Sequence, residues 1–134
     1  MNRDIEFRGV CIDTKEWVYG YYVKGSKRHC IQKSLALYPI FNIIPETLGQ
    51  YTGLKDKNGK KIFEGDIVKI NNINYRVLYS EHRLSFVFLR LKEATCYFSL
   101  DEIFEDYYKE NQFALLDIEV IGNIYENDLE SKGE

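Results

Sequence analysis

The chain has 134 residues, 45% hydrophobic and 15% aromatic, with a formal charge of −3. That length supports one domain with a buried core, and that composition excludes wholesale disorder. No apolar run reaches the ~18 residues of a bilayer span, and Met1-Asn2-Arg3-Asp4 opens charged, without an apolar signal core. The chain therefore reads as cytoplasmic, with no membrane role.

In chain order, residues 5–12 form a strand pattern, 13–16 a turn, and 17–23 the second strand of a hairpin. Lys24-Gly25-Ser26-Lys27-Arg28 is a basic turn, with His29-Cys30-Ile31-Gln32 pairing beyond it. Pro39 and Pro45 interrupt the apolar stretch 33–45, which is expected to be an irregular, partly buried connection. Next comes the most distinctive segment, residues 45–69. Two apolar runs flank Asn58-Gly59, a dipeptide suited to the two φ > 0 positions of a type I′ hairpin turn. Glu64-Gly65-Asp66 then makes a second structural corner, where an acid beside glycine caps backbone amides.

Residues 67–70 and 75–79 flank Asn71-Asn72-Ile73-Asn74 as a further hairpin, and 84–91 is a strand followed by Cys96-Tyr97-Phe98. Ser99 and Glu102 have capping-box spacing. They open a short helix with Ile103, Phe104, Tyr107 and Tyr108 on one face. Residues 118–125 form the last strand, and 128–134 an acidic, frayed tail. The expected organisation is one domain over 1–127, mostly β (a β-rich α+β chain). Short strands at this spacing suit a small barrel or sandwich. The corner at Glu64-Gly65-Asp66 is of the kind seen in SH3-like barrels, here with extra hairpins and one short helix.

Sites of chemistry are scarce. Five residues, not four, separate Gly53 from Gly59, and Lys61 stands where a phosphate loop needs Ser or Thr. A calcium loop aligned on Gly59 places Leu54 first and Gly65 last, where oxygen ligands are required. Asp56 and Asn58 instead read as solvated turn residues bonding the local backbone. His29-Cys30 are strand neighbours facing opposite sides, not a nucleophile and base. His82 lies in a polar turn, and Cys11, Cys30 and Cys96 have no zinc or disulfide spacing. Glu64 and Asp66 could act as paired acids, but capping is the simpler role. No catalytic residue, metal site or cofactor is expected.

Basic residues cluster twice, as Lys24, Lys27, Arg28 and Lys33, and as Lys55, Lys57, Lys60 and Lys61. Tyr51, Tyr19, Tyr21 and Phe63 lie on adjoining strands. A basic groove with stacking aromatics suits single-stranded nucleic acid, although a sequence pI near 5.5 lacks the footprint of a dedicated binder. A solvated hairpin tip beside core and edge aromatics accounts for the same residues. Charge is also split along the chain. Residues 1–100 carry 16 Lys+Arg against 10 Asp+Glu, whereas 101–134 carry 2 against 11. The acidic segment is expected to lie against the basic part, within one subunit or across two.

Phe7-Arg8-Gly9, Glu16-Trp17-Val18-Tyr19-Gly20-Tyr21, the run Gly49 to Gly59, Ile62-Phe63-Glu64-Gly65-Asp66-Ile67-Val68 and the run Val120 to Asn127 form a recognisable set. On these blocks the chain resembles the YopX-like family of phage and prophage proteins, with 71–117 the least characteristic part. The resemblance implies a mostly-β, SH3-like barrel and a phage or prophage origin; it carries over no activity and no catalytic residue. The expected function is that of a non-enzymatic accessory protein binding a protein partner as a homo-oligomer. The alternative is a nucleic-acid-binding module using the clusters at 24–33 and 55–61.

Overall fold

A computed structural model describes residues 4–33, 39–92, 97–99, 102–103 and 117–126. It divides into two compact units, Met1–Gly53 and Leu54–Glu134.

In the first unit, period-two alternation produces β1 (Phe7–Val10), β2 (Trp17–Lys24), β3 (His29–Gln32), β4 (Ile40–Asn42) and the start of β5 (Gly49–Lys55). These pair antiparallel in the order β4-β3-β2-β1-β5. One side buries Cys11, Val18, Ile31 and Ile43, with Phe7, Tyr22, Phe41 and Leu48 packed around them. The stretch expected to be irregular contributes β4, an edge strand, and the bridge from Ile43 to Cys11. Pro39 stands just ahead of that strand, where its missing N–H breaks no ladder. Pro45 starts a 3-10 turn, Pro45–Thr47. Thr47 ties it down: its Oγ1 accepts the Val10 N–H at 2.9 Å and donates to the Ile44 carbonyl at 2.6 Å.

The second unit holds the end of β5, then β6 (Lys61–Phe63), β7 (Asp66–Ile70), β8 (Ile73–Ser80), β9 (Ser85–Arg90), β10 (Tyr97–Phe98) and β11 (Ile118–Asn123). An antiparallel sheet runs β10-β9-β8-β7-β11. Cross-strand pairs such as Val68 with Tyr75 and Val77 with Phe88 share one side. They join Ile62, Ile70, Ile103 and Ile118 in the core. The mostly-β class is as expected. The sheet ends at β10 and β11 instead of pairing them, so no closed barrel forms among the described residues.

Turn chemistry differs from expectation at two places: at Asn58-Gly59, and in the 67–79 hairpin, where Ile73 and Asn74, expected in the turn, already belong to β8. Gly59 has φ +81, but Asn58 is not left-handed. The Gly59 N–H donates to the Asp56 carbonyl at 3.0 Å, and the Asp56 N–H to that of Lys60 at 2.8 Å. This is a three-residue loop closed by a left-handed glycine, not a type I′ turn. Asn71 and Asn72, with φ 54 and 65 between paired Ile70 and Ile73, make the two-residue primed turn.

Ser99 and Glu102 form the reciprocal capping box, the Ser99 Oγ accepting the Glu102 N–H and the Glu102 carboxylate accepting the Ser99 N–H. Phe104, Tyr107 and Tyr108 of that helix, and the tail 128–134, lie outside the described residues. The last strand stops at Asn123 rather than Tyr125. Asn123 Oδ1 accepts the N–H groups of Tyr125 and Glu126, each at 2.9 Å, and caps a helical turn.

Candidate interaction surface

Around the signature loop, Asp56 is 8% exposed, not solvated as its turn position suggested. Its Oδ1 accepts the N–H groups of Asn58 and Lys60, and its Oδ2 that of Val120 at 3.0 Å. Burial pushes the carboxyl's pKa up, but the three amides and the Lys60 charge outweigh it and hold the group below the ordinary aspartate value. Next to it, the Lys57 ammonium lies 3.2 Å from Asp117 and 3.6 Å from Glu119, and hydrogen bonding to Asp117 raises its pKa. Arg83 pairs with Glu102, whose pKa that contact lowers. The acidic segment thus meets basic residues at Lys57 and Arg83, both inside the second unit.

The structural corner is built on its acid. Asp66 is 1% exposed, and its Oδ2 accepts the Phe63 N–H at 2.8 Å. Gly65 has φ +95, and a Cβ there would stand 2.8 Å from the Tyr125 ring. Glu64 is half-buried beside it.

The two basic clusters fare differently. Lys55 and Lys60 are exposed and Lys61 half-buried, but Lys57 is neutralised by its two acids. Lys24, Lys27, Arg28 and Lys33 are exposed, and none makes an ion pair among the described residues. Lys33 places its ammonium 5.3 Å from the Phe41 ring centroid. Tyr51, proposed with these lysines as a binding residue, is 5% exposed and offers no ring face. Gly49, two residues before it, lies opposite Arg8, which lies opposite Tyr19, so Tyr51 is on the Tyr19 side of the sheet but covered there; Phe63 is 3% exposed.

Tyr19 and Tyr21, on the same side, are exposed. On β2 the side bearing Val18 and Tyr22 packs on the core, so Tyr19, Tyr21 and Val23 share the outer face. The register continues it: Tyr21 lies opposite Gln32, which lies opposite Ile40, while Val23, Cys30 and Asn42 form the next row. Tyr19, Tyr21, Val23 and Ile40 are 42, 45, 43 and 47% exposed. Cys30 Sγ donates to Asn42 Oδ1 at 3.2 Å within the face. On the same side, Arg8 lies opposite Tyr19, and its guanidinium sits 4.5 Å over the Trp17 ring. The sequence marked the two tyrosines but not Val23 or Ile40, because alternation alone does not say which face is covered.

Among the described residues, no group of three or more His, Cys, Asp or Glu is placed to hold a metal. Cys11 is buried and Cys30 half-buried, both as free thiols, while Cys96 lies outside the described residues. His29 is engaged by the Tyr22 hydroxyl at its Nδ1, with the rings stacked 7° from parallel. No helix of the described residues is long and apolar enough to cross a membrane.

Comparison with the curated proteins finds no match. A family model described as YopX protein matches residues 6–130, nearly the whole length, and the chain belongs to that family.

Proposed function

We propose that the protein is a non-enzymatic protein-interaction module that works through the outer face of the first unit's sheet, in the cytoplasm of a phage-carrying or prophage-carrying cell. The observation carrying this reading is the exposure of Tyr19, Tyr21 and Val23 along β2, with exposed Ile40 on β4 across Gln32 in the same row. Apolar patches of this kind on a folded domain mark contact sites, and tyrosine is enriched where partners bind. The test is capture from producing cells with the wild-type chain and with Tyr21→Glu/Val23→Glu. Partners retained only by the wild type fit the reading; identical recovery by both overturns it.

A nucleic-acid reading draws on one specific feature, two exposed tyrosines at alternate positions leading into Lys24, Lys27 and Arg28. Val23 and Ile40, aliphatic members of the same face, add apolar contact and no base stacking, which favours protein. A mobility shift at low salt with single- and double-stranded probes decides between them, since phosphate contacts dominate such affinity. A shift abolished by neutralising Lys24, Lys27 and Arg28 would replace the protein-interaction reading.

A further inference from the structure

We infer that the occupant of the Tyr19/Tyr21/Val23/Ile40 face is a second copy of the same face, related by a two-fold axis that sets the two β2 strands antiparallel. This rests on the interaction-module reading and names its partner. The argument begins with charge at the two ends of β2. Its C-terminal end runs into the hairpin tip carrying exposed Lys24, Lys27 and Arg28, with no acid between 17 and 33. Its N-terminal end leaves the turn of exposed Asp13, Thr14, Lys15 and Glu16, where acids outnumber the base. Eight residues of strand separate these ends by about 25 Å. Between them lies the apolar stretch, with exposed side chains and no charged residue on β2 from Trp17 to Val23.

Such a face is complementary to itself in one orientation only. Arg8, Val10 and Tyr51 on this side of β1 and β5 are already covered, so the contact is made by β2 to β4; stacked sheets pack about 10 Å apart with nearly aligned strands. With the strands parallel, basic tip meets basic tip and acidic turn meets acidic turn. With the strands antiparallel about a two-fold axis, each basic tip meets the partner's Asp13 and Glu16, and the apolar rows cover one another. An isologous contact makes this match twice, which is what a closed dimer requires. Repulsion in the parallel arrangement then selects the orientation. Four exposed apolar side chains with a polar rim make a small interface, so dissociation in the micromolar range is expected.

The experiment is sedimentation velocity on the purified full chain from about 1 to about 500 µM, a range spanning micromolar dissociation. Four variants accompany it: Tyr21→Glu/Val23→Glu; Ile40→Lys; the tip reversal Lys24→Glu/Lys27→Glu/Arg28→Glu; and the turn reversal Asp13→Lys/Glu16→Lys. Circular dichroism checks that each is folded, and Ile40→Lys keeps the test intact if the double face variant is not. We expect a monomer–dimer equilibrium for the wild type and monomers for both face variants. Each charge reversal alone should weaken the dimer by about tenfold or more, and mixing the two reversals should restore it, because only the mixed pair regains opposite charges at both ends. A wild type monomeric throughout, a dimer indifferent to the face variants, or a mixture no tighter than either reversal alone overturns the inference. A monomer that still captures a protein through Tyr21 and Val23 overturns the dimer and leaves the interaction-module reading standing. A monomer whose capture ignores those residues overturns both.

Discussion

The Asp56 carboxylate accepts the Val120 N–H at 3.0 Å across 64 residues of sequence. The same carboxylate holds the amides of Asn58 and Lys60, while the Lys57 N–H donates to the Ile118 carbonyl at 2.8 Å. The loop between β5 and β6 is therefore fastened to β11, and its lysines face outward around a buried acid. Asp56→Ala leaves three amides without their acceptor. It should lower stability by roughly 3 kcal/mol. Asp56→Asn, which keeps one acceptor oxygen, should fall between it and the wild type in denaturant melts. Equal midpoints for all three chains would show that the carboxylate contributes nothing.

Acid should act through the same group. Against its burial, the three amides hold the folded pKa of Asp56 below the ordinary aspartate value. Its contribution is therefore fully present above the unfolded pKa and lost as pH falls through the lower folded one. The melting temperature of the wild type is expected to decline below about pH 4. Asp56→Asn should show a shallower decline over that window, and parallel curves would assign acid sensitivity to other carboxylates.

Gly59 and Gly65 are both left-handed, but their surroundings differ. A Cβ at Gly59 meets nothing within 4 Å, whereas one at Gly65 meets the Tyr125 ring. Gly59→Val should cost roughly 1–3 kcal/mol from backbone strain alone. Gly65→Val adds displacement of Tyr125 and should cost more. Thermal melts of the two variants test the ranking, and a Gly59→Val chain as stable as the wild type would remove the strained-loop assignment.

The primed turn makes a prediction at residues that contact little. Asn71 and Asn72 are both exposed and both left-handed. Replacing either by Val should destabilise the hairpin by about 1–2 kcal/mol, since asparagine tolerates that region and a β-branched side chain does not. Asn72→Gly should be tolerated or mildly stabilising. A Gly variant less stable than the Val variant would contradict the turn type.

Family and class, the hairpin at 67–79, the capping box at Ser99 and Glu102, and the corner at Gly65-Asp66 were all legible in the sequence. Each depends on residues close in the chain, whose spacing encodes the local hydrogen bonds. Tertiary structure decided the rest. Asp56 reads as a solvated turn residue until Val120 is brought beside it, and Pro39 reads as a breaker until β3 provides a partner for the strand that follows. Tyr51 and Tyr21 are equivalent as members of alternating strands, yet one is buried and the other exposed. Period-two alternation separates the two faces of a strand, but the layer that covers one of them comes from elsewhere in the chain. Which tyrosines remain available for a partner is therefore set by long-range packing, and local sequence carries no signal for it.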